Sequence, residues 1–169
     1  MKNNYIIITT IICIILLIIV YSQYRYSSLL YVKCDTNNTN YLCRNVINKK
    51  DAANILGEVD DRLKLLKSHL TNITSNSNLL KRLSRFNTSH IRESSRDNSA
   101  TSYSINKGEI MVLCIRSKEN EVELKDINTI MFVAIHEFSH TISDSIGHTR
   151  DYWSNFKYML NESIKLKIY

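Results

Sequence analysis

Asp126-Ile127-Asn128-Thr129-Ile130-Met131-Phe132-Val133-Ala134-Ile135-His136-Glu137-Phe138-Ser139-His140 is the stretch from which the fold can be worked out. Asp126, Asn128 and Thr129 can each cap a helix N-terminus by accepting backbone N–H groups. The run from Ile130 to Ile135 has no polar stripe, so the helix it predicts is buried nearly all round. Residues four apart stand one above the other on a helix, which puts His136 and His140 on one face. Two imidazoles so placed can share one Zn²⁺ at about 2.0–2.1 Å, with Glu137 beside the open coordination position. That is the minimal equipment for metal-assisted hydrolysis. Two histidines on an ordinary surface helix would be accompanied by a polar stripe, and none precedes them here.

A catalytic zinc takes three protein ligands and leaves a fourth position open. Beyond His140 the helix can continue through Ser143, and Gly147, one of three glycines in the chain, marks a helix end with a left-handed residue. His148 follows directly, where the chain can fold back towards the metal. Thr149 and Asp151 then signal a new helix, on which Trp153, Phe156, Leu160 and Ile164 share a face, with Trp153 expected to pack under the site. Glu162 on that helix is the rival third ligand. Its alternative is a charged helix face beside Lys165 and Lys167.

Upstream, the chain of 169 residues has room for one domain and one appendage. Tyr5 to Tyr21 is uncharged and rich in isoleucine, which predicts a transmembrane anchor over residues 1–25 and a single-pass membrane protein. Lys2 lies on one side of it, and Arg25 and Lys33 on the other, so the charges leave the topology open. Residues 26–50 read as a juxtamembrane segment and 51–169 as the catalytic domain. Asp51 to Leu70 carries an apolar stripe of Ile55, Leu56, Val59, Leu63, Leu66 and Leu70 at helical spacing, and Leu79, Leu80 and Leu83 predict a shorter helix. Asn87 to Ala100, rich in Ser, Asn and Arg, reads as loop. Thr101–Ile105 and Glu109–Arg116, joined by Asn106-Lys107-Gly108, read as a hairpin. Ile110 to Arg116 is the expected edge strand over the active helix, to which an extended peptide would add by main-chain pairing.

Of the four cysteines, Cys34 and Cys43 are near enough in sequence for a disulfide or for two free thiols, and no pair has structural-zinc spacing. The net charge of +6 fits an anionic membrane surface or a plainly solvated one. No helix-turn-helix, zinc finger or aromatic-basic array points to nucleic acid as a partner.

Three groups of residues together carry a family resemblance. They are His136-Glu137-x-x-His140 followed by Gly147-His148-Thr149 and Trp153; Thr101 to Glu109 with Val112-Leu113-Cys114-Ile115-Arg116; and Tyr41-Leu42-Cys43-Arg44-Asn45. The chain resembles the WLM and SprT-like zinc metallopeptidases, and more closely a group of uncharacterised metallopeptidases encoded by large DNA viruses. The resemblance implies one zincin-like α+β domain: an active-site helix with a small antiparallel sheet or hairpin. It implies His136 and His140 as zinc ligands and Glu137 as general base, and His148 matches its Gly-His pair. The interval from His140 to His148 is longer than the WLM spacing, which leaves Glu162 open as third ligand. Tyr103 and Arg150 are candidates for stabilising an oxyanion by their place in the sequence. The expected function is a membrane-anchored zinc peptidase acting on a protein or peptide. The alternative is an inactive zincin fold kept as a scaffold or partner-binding module.

Overall fold

Asp126 caps the helix that the apolar run demands: its Oδ1 accepts the backbone N–H of Thr129 at 2.9 Å. We describe the fold from a computed structural model, which describes residues 2–86, 90–96 and 102–169, with side chains from 6–22 and from 28 onwards. Among the described residues ten elements follow in order: α1 (Lys2–Ser27), β1 (Leu29–Lys33), β2 (Asn40–Arg44), α2 (Lys49–Ile73), α3 (Ser77–Leu83), β3 (Ile91–Glu93), β4 (Tyr103–Ile105), β5 (Ile110–Leu113), α4 (Ile127–Ile142) and α5 (Arg150–Lys165). The strands form one sheet in the order β1-β2-β3-β5-β4. β1–β2 and β4–β5 are antiparallel, whereas β3 runs parallel to both β2 and β5. The fold is thus α+β, with a five-stranded mixed sheet in place of the small antiparallel one expected.

The core forms where α2 and α4 pack on the sheet. Leu56, Val59, Leu63, Leu66 and Leu70 of α2 are fully buried, as are Met131, Ala134, Ile135 and Phe138 of α4. Each large aliphatic or aromatic side chain so buried contributes about 1.5–3 kcal/mol relative to exposure. Phe138 also stacks on Phe86, with ring centroids 4.1 Å apart. This anchoring fixes the rotation of α4 about its axis, and hence the direction in which its histidines point.

β3 is the strand the sequence hides. It lies inside the stretch read as loop, of which residues 87–89 and 97–100 fall outside the described residues, as does Thr101 of the expected hairpin. Glu93 is its anchor. The carboxylate, 1% exposed, takes a hydrogen bond from Arg116 Nε and another from the Arg44 backbone N–H at 2.8 Å. Arg116 in turn donates to Asn48 Oδ1 (2.6 Å) and to the Glu121 carbonyl (2.8 Å). A charge-assisted network thus ties β2, β3 and the exit of β5 together. Residues 26–50, read as a connector, supply β1 and β2. Cys34 and Cys43 are both buried free thiols. The register sets Cys43 opposite Leu30, while Cys34 packs against Gly57, where a Cβ would stand only 2.3 Å from its sulfur.

The expected transmembrane anchor is overturned: among the described residues no helix is long and apolar enough to cross a membrane. The correction covers the single-pass membrane location as well. Residues 2–27 do form a helix, and its described side chains from Ile6 to Tyr21 are exposed. At ~1.5 Å per residue the uncharged stretch from Tyr5 to Tyr21 rises about 25 Å, short of the roughly 30 Å of a hydrocarbon core. It also contains Thr9 and Thr10, and Thr10 Oγ1 donates back to the Ile6 carbonyl at 2.8 Å.

Candidate metal centre

One turn of α4 separates His136 from His140, and the loop after it returns His148 to the same place. The three rings form a near-equilateral triangle, with centroids 5.2 Å (His136–His140), 4.9 Å (His136–His148) and 5.1 Å (His140–His148) apart. One nitrogen from each lies within 4.8 Å of the others. His148 Nε2 stands 3.0 Å from His136 Nε2. Two tetrahedral zinc donors at ~2.05 Å from the ion would be roughly 3.4 Å apart, so the donor set fits that metal. Burial holds the His136 imidazole down at about 4, with the neighbouring His140 and His148 adding to the effect. His140 is lowered too, by burial and then by His148 and Lys107. Neutral rings of this kind offer lone pairs rather than protons.

Glu137 is 6% exposed, and burial raises its carboxyl to about 7, against a hydrogen bond from the backbone of Ser104. That bond comes from β4. The sheet order makes β4, rather than β5, the edge above α4, because β5 lies between β3 and β4. Between this edge and α4 opens a cleft of about 570 Å³ that holds all three histidines and Glu137. Tyr103, Ser104 and Lys107 line one part of it, and Phe132, Val133 and Ile146 another.

Beneath the triangle sits Tyr152 of α5, fully buried. Its ring stacks on His140 at 4.3 Å and meets His148 at 4.8 Å, and its hydroxyl donates to the His136 carbonyl at 3.3 Å. Burial, then the Glu137 carboxylate, pushes the Tyr152 phenol upward. Trp153, expected in that place, is 52% exposed and reaches His148 only from the side, at 5.7 Å. Two apolar stripes were available on α5. The buried one runs through Tyr152, Phe156 and Met159, a rotation of one residue from the expected face.

Glu162 lies outside the cluster. Its carboxylate receives Lys165 Nζ at 2.6 Å and meets His69 Nε2 at 2.9 Å, joining α5 to α2. Of the two oxyanion candidates, Tyr103 lines the cleft, while Arg150 lies at the exposed start of α5 and does not line it. The helix also ends sooner than expected. Ser143 turns extended at φ −86°, ψ 139°, and Gly147, at φ +82°, serves the loop before His148 rather than the helix end. The sequence did not single out Ser104, Lys107 or Tyr152, since a backbone donor, a turn lysine and a core tyrosine carry no motif.

No family model matches the chain. It is 34% identical over 174 residues to uncharacterized protein R325 of Acanthamoeba polyphaga mimivirus, an alignment that covers 99% of this chain and 88% of that protein. A shorter match, 36% identical over 69 residues, joins 40% of the chain to 38% of uncharacterized protein 136R of Invertebrate iridescent virus 6. Among solved structures the fold resembles Wss1 from Saccharomyces cerevisiae, at a TM-score of 0.55 and 18% identity over 72% of this chain and 83% of that one. A Wss1 mutant gives 0.57 over 73% and 86%. At that identity the likeness is one of fold.

Proposed function

We propose that this chain, which belongs to the family of uncharacterized protein R325 of Acanthamoeba polyphaga mimivirus, is a zinc-dependent metallopeptidase. The observation that carries the reading is the convergence of His136, His140 and His148 around one point, with the Glu137 carboxylate in the same cleft. The fold likeness to Wss1 and the motif resemblance to WLM-type peptidases agree with it.

His136, His140 and His148 would hold the ion. Zinc, when bound, supplies Lewis acidity, lowering the pKa of water and polarising a carbonyl. Glu137 takes the proton of the attacking water and delivers it to the departing amine. Burial raises its carboxyl to about 7, and the charge of a zinc ion beside it would favour the carboxylate form that accepts the proton. The Ser104 backbone fixes the orientation of that carboxylate. β4, as the edge strand, presents its free side to an extended main chain, which would lay the scissile bond across the triangle. Phe132, Val133 and Ile146 give part of the cleft an apolar wall.

Purified full-length chain should bind zinc at one ion per molecule, measured by elemental analysis, and should cleave unfolded casein until a chelator is added. Glu137→Gln should lower kcat/KM by about 10²–10⁴-fold while leaving bound zinc unchanged. His148→Ala should weaken zinc sharply, down to the residual affinity of the His136–His140 pair, whereas Glu162→Ala should leave the affinity unchanged. A folded chain without zinc would refute the reading. Zinc with no cleavage would point to the scaffold alternative.

A further inference from the structure

The segment that carries His148 is held from three sides, and the hairpin turn makes one of those holds. Arg82 of α3 donates to the Ile142 carbonyl at 2.9 Å and pairs with Asp144. Asn155 of α5 donates to Ser143 Oγ at 3.0 Å, and Asp151 accepts the Asp144 N–H at 3.3 Å. Lys107, in the β4–β5 turn, donates through Nζ to the carbonyls of both Ser143 (2.9 Å) and Asp144 (2.8 Å).

Lys107 is an odd residue to find there. The Gly108 N–H closes the turn on the Ile105 carbonyl at 3.2 Å, with Asn106 at φ 49° and Lys107 at φ 53°. Both central residues are left-handed, a geometry in which glycine is favoured at the second position. A lysine bears that conformational penalty, and its ammonium reaches the two carbonyls at which α4 gives way to the His148 loop. The turn lies directly against α4, since a Cβ on Gly108 would stand 2.4 Å from Thr141 Oγ1.

We infer that Lys107 is a positioning residue for the metal centre, clamping the Ser143–Asp144 backbone so that His148 is presented to His136 and His140. The inference rests on the metallopeptidase reading for the identity of the ion. It concerns His148 alone: the other two ligands are set by α4, whose rotation the core already fixes. The clamp also couples the edge strand to the ion, since one turn ends β4 and holds the start of the loop that carries the third ligand.

The experiment is a double-mutant cycle on zinc affinity, using the full chain and a competing chromophoric chelator. Lys107→Met should weaken zinc about tenfold, the lower end of what lost supporting hydrogen bonds cost metal sites. In a His148→Ala background the same change should have no further effect, and Lys107→Arg should restore most of the affinity. An equal loss in both backgrounds would overturn the inference, since Lys107 would then act on the whole fold. So would unchanged or tighter zinc binding in Lys107→Met, the latter meaning that its charge merely repels the ion. If Lys107→Met does not fold, Lys107→Gln is read in the same cycle. Failure of the wild type to bind zinc would refute the metallopeptidase reading, whereas the cycle judges the clamp.

Discussion

Single residues here carry separable duties, and two lend themselves to measurement. Gly108 combines φ +97° with a Cβ position 2.4 Å from the buried Thr141 hydroxyl. Gly108→Ala meets a backbone penalty and a clash at once, and should destabilise the chain by about 2–3 kcal/mol, read from urea midpoints. Glu162, rejected by the triangle, has a structural role. Lys165, and after it His69, holds its carboxyl below the ordinary range. A depressed folded pKa contributes stability that is present above the ordinary glutamate value of ~4.3 and is lost as pH falls through the folded one. Glu162→Gln should therefore flatten the acid limb of the stability–pH curve below about pH 5 and leave the neutral region's slope unchanged. A flattening on the alkaline side would contradict that assignment.

At the scale of elements, legibility followed periodicity. α2, α3, α4 and the β4–β5 hairpin could be read because each repeats an apolar or turn pattern long enough to register. The pentad on α4 was legible for the same reason, since spacing converts directly into geometry; the return of His148 was expected from Gly147 as a helix end, whereas α4 stops at Ile142 and Gly147 turns the loop that follows. β3 was not, since three residues flanked by Ser, Asn and Arg give no period and its anchor is a glutamate. Its burial depends on Arg116, distant in sequence, which no local pattern can announce. Glu93→Ala should leave Arg116 as an unpaired buried charge and cost about 3–5 kcal/mol in denaturant unfolding, far more than an average surface change. The α5 face was misjudged because hydrophobicity favours Trp153, while packing under three imidazoles favours a flat ring with a hydroxyl that can reach the His136 carbonyl. The helix at residues 2–27 misled in the opposite way. Its composition counts as membrane-like, yet among the described residues no helix is long and apolar enough to cross a membrane.

Across the whole molecule, the hydrophobic core and the candidate metal centre are built from different parts. Leu56 to Leu70 on α2, the inner face of α4 and the sheet are packed without help from any ion. His136 and His140 are half-buried at the edge of that core, and His148 is exposed on its loop. Chelation should accordingly leave the far-UV circular dichroism unchanged and lower Tm by only a few degrees. Unfolding on chelation would mean that the centre is structural.

The short span of the ligand set gives the centre one more property. His136 and His148 are 12 positions apart, so an ion joining them is a cross-link that closes a very small ring. Such a ring removes little chain entropy from the unfolded state. Whatever the ion adds to stability is then governed by its free concentration relative to its affinity. The folded chain should persist when zinc is scarce, and on the metallopeptidase reading its activity would rise and fall with metal supply.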